Sequence, residues 1–442
     1  MPVTIRATLA LAMLLALPAR AAEPSTATDL DPYAERFVRL VLAIGEHDTN
    51  MVDAYYGPAQ WREDAKARKA SLETLEKEAR QLADELASLQ TTNADAELRR
   101  RGLVEQLASV RTRVEVVRGV KFTFDEEARR IYGVQPPHHD DEFYRAIHRE
   151  LDAALPGKGT LAERMRVHRD KLILSPRRLQ AGLAAGLGVC RGATLAHTAL
   201  PPGESFRLEL VKNRPWGAYN WYQGGYQSLI QVNTSLPSRA NGMAGLMCHE
   251  GYPGHHVLNT LLEQKLVKGR RWVEYTVYPL YSAMSLLAEG SADFGLELVF
   301  PGDTRQRWEK GYLYPHVGLD PALADVAARV RKLADDLAYS GIDAARAYLD
   351  GERSAEQTIA WLQEFTFATR DEARRSIAFF DTYRSYVVNY RLGEDLVKQH
   401  VDMVAGADAD ARWAAFVDLI SSPPIISDLA RGTSFDPANA AR

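Results

Sequence analysis

From Trp61 to about Gly119 the chain sets leucine and alanine against glutamate, lysine and arginine. In "LETLEKEARQLADELASLQ" the leucines recur every three or four residues, which is the rhythm of a helix with one buried stripe. A break near Thr91 to Asn93 predicts two long helices lying as an antiparallel pair, with their charges on a solvated face. Helical patterns return after a proline-marked loop at 133–143, run on to about residue 200, and resume over 242–299 and from about 304 to 431. Residues 206–238 differ. "FRLELV" alternates as a strand does, and "AYNWYQGGYQSLIQVNTSLP" is aromatic and β-branched between glycine and proline. The predicted fold is mainly α, a large helical domain over 22–442 with a deep cleft and a small β-hairpin or sheet element. Along the chain this gives N-terminal helices to 200, the β element at 201–240, helices carrying candidate chemistry at 241–300, and C-terminal helices at 301–442.

Composition narrows the function without fixing it. The chain has 442 residues, 46% hydrophobic and 25% charged, as ordinary globular domains do. A net charge of −4 with no basic block argues against nucleic acid and leaves a peptide or small molecule as the expected substrate. The first residues read as a signal peptide over 1–21. Arg6 supplies the positive start, Ala7 to Leu17 the apolar run, and Ala19-Arg20-Ala21 the cleavage site. That run is too short to span a bilayer, so no transmembrane anchor is expected, and the mature chain is predicted to be periplasmic. Cys190 and Cys248 are the only cysteines. They either pair in an oxidising compartment or serve as small buried side chains.

"MCHEGYPGHHVLNT", residues 247–260, carries the chemistry. A zinc-protease helix spaces its two histidines four residues apart, with a glutamate general base after the first. Here position 253 is proline, and His255 and His256 follow His249 by six and seven residues. Seven residues of regular helix rise about 10 Å, too far for two imidazoles to share one ion. Pro253-Gly254 predicts a bulged turn that takes up the extra residues and returns His255 or His256 beside His249, with Glu250 as the base. Downstream, "LLAEGSADFGLELV" sets Glu289 and Asp293 four apart on one face of an apolar helix. Carboxylates there are costly unless they are paired or bind metal.

Glu-x-x-x-Asp after a His-Glu helix resembles the pattern of the glutamate zincins, in which the glutamate binds zinc and the aspartate steadies a ligating histidine. The likeness implies Glu289 as third ligand and Asp293 as the partner of His249. Gly254-His255 is similar to the Gly-His at the second ligand of helical zincins, which implies His255, with His256 as the alternative. "HEGYPGHH", "AEGSADFG" and "SYVVNYRLGEDLV" together resemble the domain-of-unknown-function 885 family of exported bacterial proteins, over nearly the whole mature chain. Many members carry tryptophan after Glu-Gly where this chain has Ser291.

The resemblance implies Zn²⁺ and peptide-bond hydrolysis. An oxyanion or substrate contact is expected from Tyr386, Tyr390 or Arg391, with Tyr383 nearby, and Tyr219, Asn220 and Tyr222 are candidates to line the cleft. The expected function is a zinc-dependent metallopeptidase, its cleft lying between the long N-terminal helices and the zinc helices. A zinc hydrolase of another amide or ester is one alternative, and a non-catalytic helical binding protein the other.

Overall fold

A computed structural model describes residues 29–91, 93–214 and 216–438, so the expected signal peptide over 1–21 lies outside the described residues. The fold is mainly α. The predicted long helices are Leu72–Ser88 and Ala94–Val117. Ser71 and Asn93 cap their N-termini by accepting hydrogen bonds from the backbone amides of Thr74 and Asp95. Leu75, Ala79, Leu82 and Leu86 form the buried stripe of the first. Both helices pack on each other and on the helix Asp31–Gly45. One core of buried apolar side chains runs through the described chain from Leu30 to Phe435.

Two small sheets interrupt the helices. Strands β2 (Ser205–Val211), β3 (Ala218–Gly224) and β4 (Gln227–Asn233) form one sheet in the order β2-β4-β3. The aromatic segment makes the β3–β4 hairpin, and "FRLELV" lies parallel to β4 rather than continuing it. The second sheet was not anticipated. β1 (Val52–Tyr55) pairs antiparallel with β5 (Val277–Pro279), more than two hundred positions away. No local pattern announces such a pairing, because each strand is short and takes its partner only in the folded chain.

The histidine stretch departs from the expected bulge. A first helix, Met243–Glu250, ends outright, and a second, His255–Leu262, begins after four residues. Between them Gly251, Tyr252, Pro253 and Gly254 fold back under the first helix. Gly251 and Tyr252 donate to the carbonyl of Met247, and Gly254 donates to that of Cys248. The Tyr252–Pro253 peptide is cis. A Cβ at position 254 would lie 1.9 Å from the His249 carbonyl oxygen, so only glycine passes there. Cys248 is bonded to Cys190, which fastens the first histidine helix to the helix Pro176–His197.

Candidate metal centre

Three side chains from three helices meet at one point. Nε2 of His249 and Nε2 of His255 lie 3.1 Å apart, with their rings at 90°. Oε2 of Glu289, on the helix Ala283–Val299, is 3.3 Å from the first nitrogen and 3.6 Å from the second. Tetrahedral zinc with bonds of about 2.0–2.1 Å holds its ligand atoms about 3.3 Å from one another. The spacing therefore suits a small divalent ion.

The surroundings point the same way. Glu289 Oε2 is buried and has no hydrogen-bond partner, and the same is true of Oε2 of Glu250 next to His249. A buried, unpartnered carboxylate oxygen is a cost that a cation removes. The outer atoms are held in place. His249 Nδ1 donates to Asp293 Oδ1 at 2.7 Å, and Tyr386 donates to Glu289 Oε1 at 2.7 Å. Asn220 on β3 donates to the backbone carbonyl of Glu250 at 2.6 Å and so ties down the end of the first helix.

Charge is concentrated here. Burial would raise the pKa of Glu289, yet His255 and His249 hold it well below the carboxylate range. Burial would lower His249, but Asp293 and Glu289 raise it well above the ordinary imidazole value. The Glu250 carboxyl is pushed up by its burial against the pull of both histidines. These are the environments that ready a carboxylate to take up a proton.

A cavity of about 970 Å³ opens on this cluster. Its walls are β3, the two histidine helices, the Glu289 helix, and the helices Ala355–Thr366 and Arg370–Tyr383. None of its lining residues comes from the long N-terminal helices, which corrects the expected position of the cleft. Those helices spend their apolar stripe on each other and on Asp31–Gly45.

Of the residues singled out in the sequence, His249, Glu250, His255, Glu289 and Asp293 are brought together at the head of the cavity. His256 is not. Its ring is fully buried between Ser228 Oγ (2.9 Å) and Glu204 Oε2 (3.0 Å). Tyr383, Tyr386 and Tyr390 line the cavity. Arg391 is outside it, and Asp335, Asp336, Glu394 and Asp395 engage both terminal nitrogens of its guanidinium. Tyr219 and Asn220 line the cavity, while Tyr222 turns away and donates to Glu263. Ser291 is buried and bonded to the carbonyl of Ala288, apart from the lining.

The sequence did not reveal Asp53. It lies on β1, accepts a hydrogen bond from Tyr219, and faces the same cavity. Burial, with Glu289 and Glu250 nearby, pushes its carboxyl up to about 7. One clue was present, an acid set between Val52 and Ala54 in an otherwise apolar and aromatic run.

No family model matches this chain, and no curated protein matches it. Among solved structures it is similar to a candidate lipoprotein from Colwellia psychrerythraea, at 13% identity over 91% of this chain and 76% of that one, with a TM-score of 0.51. A candidate lipoprotein of unknown function from Shewanella oneidensis matches at 12% identity over 84% and 75%, with a TM-score of 0.47. Metallocarboxypeptidase 1 of Trypanosoma cruzi matches at 14% identity over 91% of each chain, with a TM-score of 0.41. The first of these likenesses extends over most of both chains and is a likeness of fold.

Proposed function

We propose that this chain is a zinc-dependent hydrolase of peptide bonds, exported to the periplasm, with the ion held by His249, His255 and Glu289. The observation that carries the proposal is the approach of those three ligand atoms to within 3.1–3.6 Å of one another, with Glu250 beside them. When bound, zinc acidifies a coordinated water and polarises a carbonyl.

The remaining steps belong to the side chains. Glu250, next to His249 and with one buried oxygen unpartnered, takes a proton from the attacking water and returns it to the leaving amine. Asp293 holds His249 in the tautomer that presents Nε2, and Tyr386 does the corresponding service for Glu289. Tyr390, whose side chain lines the cavity, donates to the oxygen that gains charge. The Cys190–Cys248 bond supports an oxidising compartment, in line with the signal peptide read from the sequence.

Elemental mass spectrometry of the purified protein tests the proposal. About one zinc per chain is expected from the three-ligand set. It should be lost in His249→Ala, His255→Ala and Glu289→Ala and retained in His256→Ala. A wild-type protein that holds no metal and takes none up would sink it.

A further inference from the structure

The cavity is polarised along its length. Asp53, Glu250, Glu289 and Asp293 line it around the metal ligands, while Arg239 and Arg375 line it around Glu372, which precedes Tyr383 by about three turns of one helix. Glu372 is the single acid of this second group. One of its oxygens is taken by the backbone amide and hydroxyl of Thr369, and the other lies 3.9 Å from Arg239. Nε of Arg239 is buried without a hydrogen-bond partner. Arg375 is exposed to the cavity and has no carboxylate partner among the described residues, whereas Arg370 and Arg374 on the same helix are paired with Glu356 and Asp371. Arg169, near Arg239 but outside the lining, is tied to the carbonyls of Thr366 and Phe367. Cations therefore exceed anions at this end.

We infer that Arg375, with Arg239 beside it, binds the free terminal carboxylate of the substrate, so that the protein cuts short pieces from the C-terminal end of peptides. This rests on the hydrolase function proposed above. A guanidinium recognises a carboxylate through two parallel hydrogen bonds, and two arginines facing one cavity make a fixed anion seat. An arginine seat apart from the ion fixes the orientation of the substrate through its terminal carboxylate.

The helix Arg370–Tyr383 supplies the ruler. Residues 372, 375, 376, 379, 380 and 383 all face the cavity, so one side of the helix lies along it. Tyr383 is at the metal end, its ring 6.1 Å from that of Tyr386, which bonds Glu289. Arg375 precedes it by eight residues, a rise of about 12 Å. An extended peptide covers that distance in about three or four residues. With the arginine side chain closing part of the gap, two or three residues fit between the scissile bond and the terminus. Leu246, Leu296, Leu362 and Phe379 add apolar wall to the same cavity.

The test compares an N-acetylated alanine pentapeptide as its free acid with the same peptide as a C-terminal amide. Both are given to the zinc-loaded full chain, and binding to the Glu250→Gln variant is followed by calorimetry. The acid is expected to be cleaved with kcat/KM at least about tenfold above the amide, with two or three residues released. Arg375→Ala should bring that ratio close to one with an unchanged melting midpoint, since the side chain is exposed and unpaired, and Arg375→Lys should restore part of it. Equal cleavage of acid and amide, or an Arg375→Ala variant that keeps the preference, would overturn the inference and leave the hydrolase standing. Cleavage of neither would remove the hydrolase. The carboxylate seat would then be decided by binding, upheld by preference for the acid and overturned by equal affinity.

Discussion

Nδ1 of His249 donates to Oδ1 of Asp293 at 2.7 Å, across 44 positions of sequence. That bond leaves Nε2 as the only ring nitrogen with a lone pair for a metal, and it raises the basicity of the ring. Asp293→Asn is expected to keep one zinc per chain but lower its affinity about 10- to 100-fold, as read by competition with a coloured chelator. An affinity equal to wild type would show that the aspartate does not steady the ligand.

Glu250 touches none of the three proposed ligand atoms through a hydrogen bond, and its role can be separated from theirs. Glu250→Gln keeps the shape and removes the base. Zinc content should remain about one per chain while peptide hydrolysis falls by about 10²- to 10⁴-fold. A variant that still turned over at the wild-type rate would assign the proton transfers to another group.

Zinc uptake should release protons. Burial alone would lower both imidazoles, but Asp293 and Glu289 raise His249, and Glu289 raises His255. Raised pKa values mean that the metal-free site holds protons at neutral pH, and the ion must displace them. Affinity therefore falls as pH falls. Calorimetric titration with zinc in two buffers of different ionisation enthalpy would give a non-zero proton count, and identical heats in both would exclude it.

Gly290 and Gly393 allow the Glu289 helix to lie against the helix Arg391–Ala405 backbone to backbone. A Cβ on Gly290 would stand 2.2 Å from the carbonyl carbon of Gly393. Gly290→Ala must push the helices apart, at a cost of about 3 kcal/mol. Denaturant titration should show that loss. Zinc affinity should fall with it, because Glu289 is the adjacent residue and its partner Tyr386 lies on the stretch leading into the second helix.

Much of the centre was legible because it obeys local rules. His249 and Glu250 were visible as a pair, and Glu289 and Asp293 as two acids one turn apart on an apolar helix. The hairpin at 218–233 followed from its aromatic alternation around two glycines. The rest depends on distant partners. Asp53 reaches the cavity through a strand paired with residues 277–279, and Arg391 is withdrawn from it partly by acids at 335 and 336. Which of His255 and His256 lies beside His249 was not legible either, because it depends on distant partners. His256 faces Ser228 and Glu204, which lie on or beside the sheet and have no sequence relation to the histidine pair.

His249 and His255 stand on two helices, so their separation along the chain is a loop length and not a helical pitch. A search for metal sites by fixed histidine spacing measures the wrong quantity in such a protein. What must be kept is the meeting of two helix ends, and the four buried residues between them hold it through their bonds to Met247 and Cys248. An engineer who inserts a residue between Tyr252 and Gly254 should expect to lose the ligand pair, because that loop is buried and a Cβ at 254 would already meet the His249 carbonyl.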